Sequence, residues 1–231
     1  MSQTSDRRTT LRKTLDGIKA KEVVHLTSNR IKLAVFDVDG TLLRGDTACL
    51  WIARRLSKYD RMLEMEQSRG KPDVSAAREE MASWYRGSTP DALLADLEGF
   101  PWAPGLFEGI RMLRDAGVKL ALASVGWEFV VKRIAEEIGA QWTLATKLDF
   151  SIGHIGHAWG EHKVTFASSL TIELKIDRES IAAVGDSAGD SQMLDYAGLA
   201  IFVGPSLPPG KNYLHMPSAD IRDIAVAILK G

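Results

Sequence analysis

The sequence contains a single cysteine, Cys49, among 231 residues. One thiol cannot close an internal disulfide, so nothing in the chain calls for an oxidising compartment. An excess of either charge is also missing: 29 Lys and Arg stand against 30 Asp and Glu, a formal net charge of -1. That balance excludes a protein that binds nucleic acid by neutralising phosphates with a basic surface. No apolar h-region follows the start, MSQTSDRRTTLRKTLDGIKAKE, and no apolar run approaches the roughly 20 residues of a membrane helix. Histidines at metal-ligand spacing are absent too. His154, His157 and His162 fall in a glycine-rich stretch, SIGHIGHAWGEHK, that reads as a hairpin or loop rather than a helix face. No internal repeat is visible at the usual periods. These absences leave the expectation of a soluble, reduced, cytoplasmic protein with neither nucleic acid nor membrane as partner. Its length suits one large domain, or a core with a smaller insert.

The apolar segments that are present have a definite arrangement. IKLAVFDVDGTLL (31–43) is a compact run rich in β-branched residues, broken by two acids and then a glycine, as expected of a buried parallel strand ending in a turn. VKLALASVG (118–126), SIAAVGDSAGD (180–190) and AGLAIFVG (197–204) repeat the theme. Between them LFEGIRMLRDAG (106–117) and WEFVVKRIAEEIG (127–139) have helical spacing and end at glycine. Alternating strands and helices with acids at the strand ends predict an α/β fold with a doubly wound, Rossmann-like parallel sheet. Residues 47–102 break the alternation. TACLWIARRLSKYDRMLEMEQ and VSAAREEMASWYRG read as helices around a turn at SRGKPD (68–73), and STPDALLADLEGF opens like a capped third helix. The chain therefore divides into a polar N-terminal arm (1–30), an α/β core (31–46 and 103–231) and a small helical cap (47–102) inserted after the first strand. Within the arm, Leu11, Leu15, Ile18 and Val23 have roughly helical spacing, yet a partly ordered arm is the simpler reading.

Four short motifs carry the chemistry. In Asp37-Val38-Asp39-Gly40-Thr41 the two acids are i and i+2 on an extended strand end and face the same side. Such carboxylates repel one another unless a cation or a shared proton compensates. Gly40 lets the backbone turn, and the Thr41 hydroxyl can hydrogen-bond an oxyanion. Asp-Gly after a strand is also an ordinary turn, but a second acid pair, Asp186 and Asp190 in GDSAGD, stands at another strand end. Hard oxygen donors with no His or Cys cluster favour Mg²⁺ over zinc. Ser124, followed by Val125 and Gly126 at a helix start, can hold a phosphate oxygen through its hydroxyl and the local amides. Lys163, in a polar stretch before a helix, gains meaning only beside the other three.

In this order the four motifs resemble the haloacid dehalogenase superfamily, over roughly residues 31–204. Within it PWAPGLFEGIRMLRDAGVKLALASVGWEF, GEHKVTFASSL and AAVGDSAGDSQML are similar to the phosphoserine phosphatase branch. The resemblance implies a phosphatase in which Asp37 is the nucleophile that forms an aspartyl-phosphate. Asp39 would then protonate the leaving alcohol and activate water, Ser124 would hold a phosphoryl oxygen, and Lys163 would orient the nucleophile. Mg²⁺ would sit among Asp37, the Asp39 carbonyl and Asp186, with Asp190 in support. It implies a small phosphorylated metabolite as substrate, with Asp46 and Arg78 near the positions that would contact it; Thr41, Gly126 beside Ser124, and Trp127, placed at the cleft by its neighbours, are further candidate contacts read from the residues themselves. Asp46 stands where that branch usually has Glu, and it also suits a cap for a helix beginning near Thr47. Arg78 lies near the place of the branch's substrate-carboxylate arginine, although an arginine beside Glu79 and Glu80 ordinarily faces solvent. Motif two reads Ser-Val-Gly in place of Ser-Gly-Gly, and Gly189 replaces a common Asn, which loosens the transfer of substrate identity. A phosphotransferase using the same intermediate, and a non-catalytic phospho-receiver, remain open as alternatives.

Overall fold

The run LAVF forms β1 (Leu33–Phe36), and every one of its side chains is buried. In the computed structural model, which describes residues 31–68 and 70–231, β1 is the central strand of a seven-stranded sheet. The arm assigned to 1–30 lies outside the described residues. The other strands are β2 (Lys119–Trp127), β3 (Trp142–Leu148), β4 (Ile155–Gly156), β5 (Ile181–Gly185), β6 (Leu199–Phe202) and β7 (Leu214–His215), in the order β4-β3-β2-β1-β5-β6-β7. All neighbours pair in parallel except β3 with β4. A strand buried on both faces needs apolar residues at every position, which explains the continuous rather than alternating pattern. Leu33 and Val35 turn to one layer, Ala34 and Phe36 to the other. Each large side chain so buried contributes about 1.5–3 kcal/mol.

The two layers are helical. Leu170 and Met193, from α7 (Gly160–Leu174) and α8 (Ser191–Tyr196), cover the Leu33/Val35 face. The opposite face is covered by α5 (Leu106–Asp115), α6 (Glu128–Ile138) and α9 (Ile221–Lys230). Gly139 closes α6 in the left-handed region at φ 71°, as its sequence position suggested. From β1 the chain winds outward to β2 and β3, then crosses to β5, β6 and β7 on the other side. The strand order reverses at the C-terminal end of β1, where open α/β sheets bind ligands. Phe36 is in register with Leu122 and Val184, so Asp37, Ser124 and Asp186 emerge together at that edge. The β2–β3 register slips between Ala123 and Trp127, and this irregularity re-aims the chain around Ser124.

Between β1 and α5 stands the helical insert: α1 (Ala48–Arg55), α2 (Tyr59–Met65), α3 (Gly70–Trp84) and α4 (Pro90–Leu93). The single helix expected over TACLWIARRLSKYDRMLEMEQ is two, because Ser57 sits at φ 57° and turns the chain. The turn expected at SRGKPD is shorter than its residues suggest. Helix α3 already starts at Gly70, and Pro72 falls in the first turn, where a missing N–H costs nothing. The third helix is a single turn, capped by Thr89, whose hydroxyl accepts from the Ala92 N–H at 3.2 Å. Both ends of the insert are clasped together. Leu43 bridges Trp102, the Arg44 N–H donates to the Pro101 carbonyl at 2.8 Å, and that of Ala103 to Leu42 at 2.9 Å. Among the described residues no helix is long and apolar enough to cross a membrane.

Candidate active site

Asp37 leaves β1 with its backbone held by the Val184 carbonyl at 2.9 Å. Its side chain meets Lys163, which α7 delivers from its first turn; the helix begins at Gly160, so Lys163 lies within it rather than before it. The Lys163 ammonium donates to Asp37 Oδ1 and to Asp190 Oδ1, both at 2.6 Å, and Lys163 is 3% exposed. Asp190 Oδ2 accepts from the Asp186 and Ser187 N–H groups at 3.2 and 3.0 Å and from the Ser187 hydroxyl at 2.9 Å. That one carboxylate therefore braces the whole 186–190 turn as well as Lys163. Oxygens of Asp37, Asp186 and Asp190 lie within 4.8 Å of one another, a hard-donor cluster suited to a divalent cation. Gly40 is required here twice over. It adopts φ 84°, and a Cβ on it would stand 2.2 Å from Asp186 Oδ2.

The charges are placed where they are costly. Burial, with Asp190 as neighbour, raises the Asp37 carboxyl well above its ordinary range, with Lys163 opposing and Asp186 adding to the rise. Burial also raises Asp186, again with Asp190 beside it. Burial alone would lower the Lys163 ammonium; the carboxylates of Asp37 and Asp190 more than reverse this and hold it above its usual value. The arrangement has more buried negative charge than one ammonium balances, which is the condition for drawing in a cation.

Asp39 points to the other side of this cluster, towards the insert. Its Oδ1 accepts from the Ala48 N–H at 2.7 Å, the first amide of α1. Burial raises its carboxyl to about 6, against the Ala48 bond and with a contribution from Glu66. Ser124 is buried, and its Oγ accepts from the Gly126 N–H at 2.9 Å. A Cβ on Gly126 would lie 3.1 Å from Ser124 Oγ and 3.4 Å from Asp39 Oδ2. Asp39, Ser124 and Gly126 thus border one space that a larger residue would fill. Thr41 is fully buried, and its hydroxyl reaches back to Asp37 Oδ2 at 3.4 Å.

The remaining residues singled out in the sequence lie outside this cluster. Asp46 accepts from Arg54 at 2.5 Å and from the Tyr59 hydroxyl at 3.3 Å, while Thr47, not Asp46, caps α1 by accepting from the Leu50 N–H. Trp127 is buried between Tyr85 and Phe129, at 6.0 and 6.5 Å between ring centroids. Arg78 differs from its ordinary reading as a solvent-facing arginine: it is buried, because α3 lies against the core and the guanidinium reaches the Val125 and Ala158 carbonyls. Sequence reasoning missed the part played by His157 and Trp159, which meet that guanidinium, and by Thr146, which shares its Val125 acceptor. Nothing local marks them, since only the fold brings them together. His162 is exposed and turns its Nδ1 back to the Trp159 N–H at 3.3 Å. A groove of about 460 Å³ between α4 and α6, lined by Pro90, Leu94, Phe129, Lys132 and Phe150 among others, includes none of Asp37, Asp39, Asp186 and Asp190.

With the strand-end carboxylates, the lysine between them and the switch-point location in place, comparison with known proteins is direct. Residues 34–195 match the family of haloacid dehalogenase-like hydrolases, and the chain belongs to that family. Within it the chain is phosphoserine phosphatase-like. It is 26% identical over 202 residues to the phosphoserine phosphatase of Methanocaldococcus jannaschii, covering 84% of this chain and 95% of that protein. It is 28% identical over 184 residues to that of Archaeoglobus fulgidus, covering 76% of this chain and 53% of the relative. The chain thus matches about half of the Archaeoglobus protein. A solved structure described as a substrate-bound phosphoserine phosphatase complex superposes with TM-score 0.71 at 22% identity, covering 86% of this chain and 98% of that one. That superposition establishes the shared α/β fold.

Proposed function

We propose that this chain is a Mg²⁺-dependent phosphatase that hydrolyses a small phosphomonoester, of the phosphoserine type, through an aspartyl-phosphate. The observation that carries the reading is the Lys163 ammonium held at 2.6 Å from both Asp37 and Asp190 at the strand-order reversal. A phosphoryl group is anionic and repels a carboxylate, so a nucleophilic Asp37 needs fixed positive charge beside it. The functional division follows: residues 31–46 and 103–231 form the catalytic core, and 47–102 form the cap that closes over it.

In the first step Asp37 attacks phosphorus, the bond to the leaving oxygen breaks, and Asp39 gives that oxygen its proton. In the second, Asp39, now a carboxylate, takes a proton from water as the water attacks phosphorus. The bond to Asp37 then breaks, releasing inorganic phosphate and restoring both carboxyls to their starting states. A carboxyl raised to about 6 suits this exchange, because it holds and releases a proton near neutral pH. Ser124 and the Gly126 amide border the space in which phosphoryl oxygens are held. Asp37, Asp186 and the Asp39 carbonyl, supported by Asp190, would hold Mg²⁺, which supplies charge neutralisation to the phosphoryl transfer. Positioning then accounts for most of the catalysis.

The reading is tested by phosphate release from phosphoserine and a panel of other small phosphomonoesters with Mg²⁺. Asp39→Asn should accumulate phosphoenzyme, giving a burst from an activated ester such as p-nitrophenyl phosphate followed by turnover slowed about 10²–10⁴-fold. Equal burst and steady-state rates in that variant count against the proton-transfer role. Transfer of phosphate to an added alcohol, rather than to water, would identify a phosphotransferase. The metal assignment has its own readout. Mg²⁺ at about 100 times its Kd should stabilise the chain by roughly 2.7 kcal/mol in thermal unfolding, and Asp186→Asn should abolish most of that gain. An unchanged Mg²⁺ response in the variant would remove Asp186 from the ligand set.

A further inference from the structure

Arg78 stands on α3, in the insert, yet it is only 5% exposed. Its Nη2 donates to the Val125 carbonyl at 2.8 Å and to the Ala158 carbonyl at 3.0 Å, and its Nη1 to His157 Nδ1 at 3.0 Å. Val125 is the middle residue of the Ser124-Val125-Gly126 turn, and Ala158 lies five residues before Lys163 on the segment that leads into α7. The same junction is tied from below by Thr146 of β3. Its hydroxyl donates to the Val125 carbonyl at 2.8 Å and accepts from the Ala158 N–H at 3.1 Å. The guanidinium carbon sits 4.6 Å from the centre of the Trp159 ring, and His157 stacks on that same ring at 5.3 Å. Two helical turns earlier on α3, Lys71 pairs with Glu161 and also lies over Trp159, at 5.3 Å.

Resting on the phosphatase reading, we propose that Arg78 is a positioning residue: its guanidinium ties the closed cap to the two loops that carry Ser124 and Lys163. It does so by holding the Val125 and Ala158 carbonyls together, so the phosphate-holding turn and the lysine take their working geometry only when α3 is seated. Arginine suits this task and lysine does not. A planar fork can serve three acceptors at fixed angles while lying flat over an indole, whereas an ammonium is a compact point donor. The arrangement also fixes the state of His157. A guanidinium only donates, so Nδ1 accepts and the imidazole proton is on Nε2. With both Nη2 protons and one Nη1 proton given to protein acceptors, Arg78 acts on turnover through those loops.

The experiment compares Arg78→Ala and Arg78→Lys with the unaltered chain on phosphoserine and on p-nitrophenyl phosphate, which has no carboxylate. Misplacement of about 1 Å can cost about 10²-fold. The expected result is therefore a kcat lowered about 10²-fold on both esters, with KM changed less than about threefold. Added guanidinium ion should restore part of the rate to Arg78→Ala, and Arg78→Lys should remain impaired. Amide hydrogen exchange supplies a second readout that needs no turnover: residues 124–126 and 157–163 should exchange faster in both variants while α9 is unchanged. A loss confined to phosphoserine and expressed in KM would make Arg78 a carboxylate ligand and overturn the proposal. Unchanged exchange and unchanged kcat would reduce the side chain to packing. If the unaltered chain hydrolyses neither ester, the phosphatase reading fails, and the exchange comparison still decides whether Arg78 orders the two loops.

Discussion

Asp37→Asn is expected to lower phosphate release by on the order of 10⁴-fold or more, because the variant loses the atom that bonds to phosphorus. The fold should not suffer. Asp37 is buried beside Asp190 and Asp186, and its carboxyl is raised well above the ordinary range. A carboxyl raised on folding contributes stability that is present below its unfolded value, near 4, and lost as pH rises through the folded value. The metal-free chain therefore carries an electrostatic cost at Asp37 at pH 7–8 that a neutral amide removes, while Lys163 keeps Asp190 as partner. Without Mg²⁺, thermal unfolding of the variant should occur at or above the temperature of the unaltered chain at pH 8, with the difference narrowing towards pH 4. With Mg²⁺ the order should reverse, since one carboxylate of the cluster is gone. Retained phosphate release in this variant would end the aspartyl-phosphate reading, and a large loss of stability at pH 8 would contradict the electrostatic account.

Lys163→Met should be damaging in both respects. Its ammonium is buried between two carboxylates, and removing one partner of such a group leaves uncompensated charge at a cost of about 3–5 kcal/mol. For a chain of this length that corresponds to a fall in Tm of roughly 10 °C. In the unaltered chain the lysine's folded value lies above its ordinary one. Its contribution is therefore fully present below about pH 10 and constant across the neutral range. The deficit of the variant should nevertheless depend on pH, growing from pH 5 to pH 8, because at low pH Asp37 takes up a proton instead of standing ionised and unpaired. Mg²⁺ should recover part of the stability but not the turnover, since the charge beside the nucleophile is also a point of orientation. Unfolding curves at pH 5 and pH 8, with and without Mg²⁺, check these signs. A variant as stable as the unaltered chain at pH 8 would show that the two carboxylates do not need this lysine.

The features legible in the amino-acid order are those whose cause is local. A strand buried on both faces must be apolar at every position, so β1, β2 and β5 stand out, and the acids that close them are visible as interruptions. Helices α5 and α6 announce their ends with Gly117 and Gly139. The insert is less legible because backbone geometry breaks its pattern: Ser57 divides the first helical stretch, and α4 is a single turn. Arg78 shows the other limit. Its partners lie 47 to 80 positions away, and neighbours Glu79 and Glu80 give it the signature of a solvated helix face. Asp46 has the opposite history: its place after the first motif suggested a ligand contact, while a position eight residues on, Arg54, engages its carboxylate. Spacing rules see one helix or strand at a time, and both residues are decided by what another element brings to them.

The clasp at the base of the insert has a further consequence. Because Leu42, Leu43 and Arg44 pair with Pro101, Trp102 and Ala103, the chain leaves the core and returns to it through a stem whose ends are already side by side. The entropy of closing an excursion grows only slowly with its length once its ends are fixed together. Helices can therefore be lengthened, shortened or exchanged beyond that stem with little effect on β1 or on the carboxylate that follows it. The stem in this way makes β1 and Asp37 indifferent to the length of the insert, and leaves the contacts that cross from it, Arg78 to the Val125 and Ala158 carbonyls and the Ala48 N–H to Asp39, as the ones any exchange has to keep.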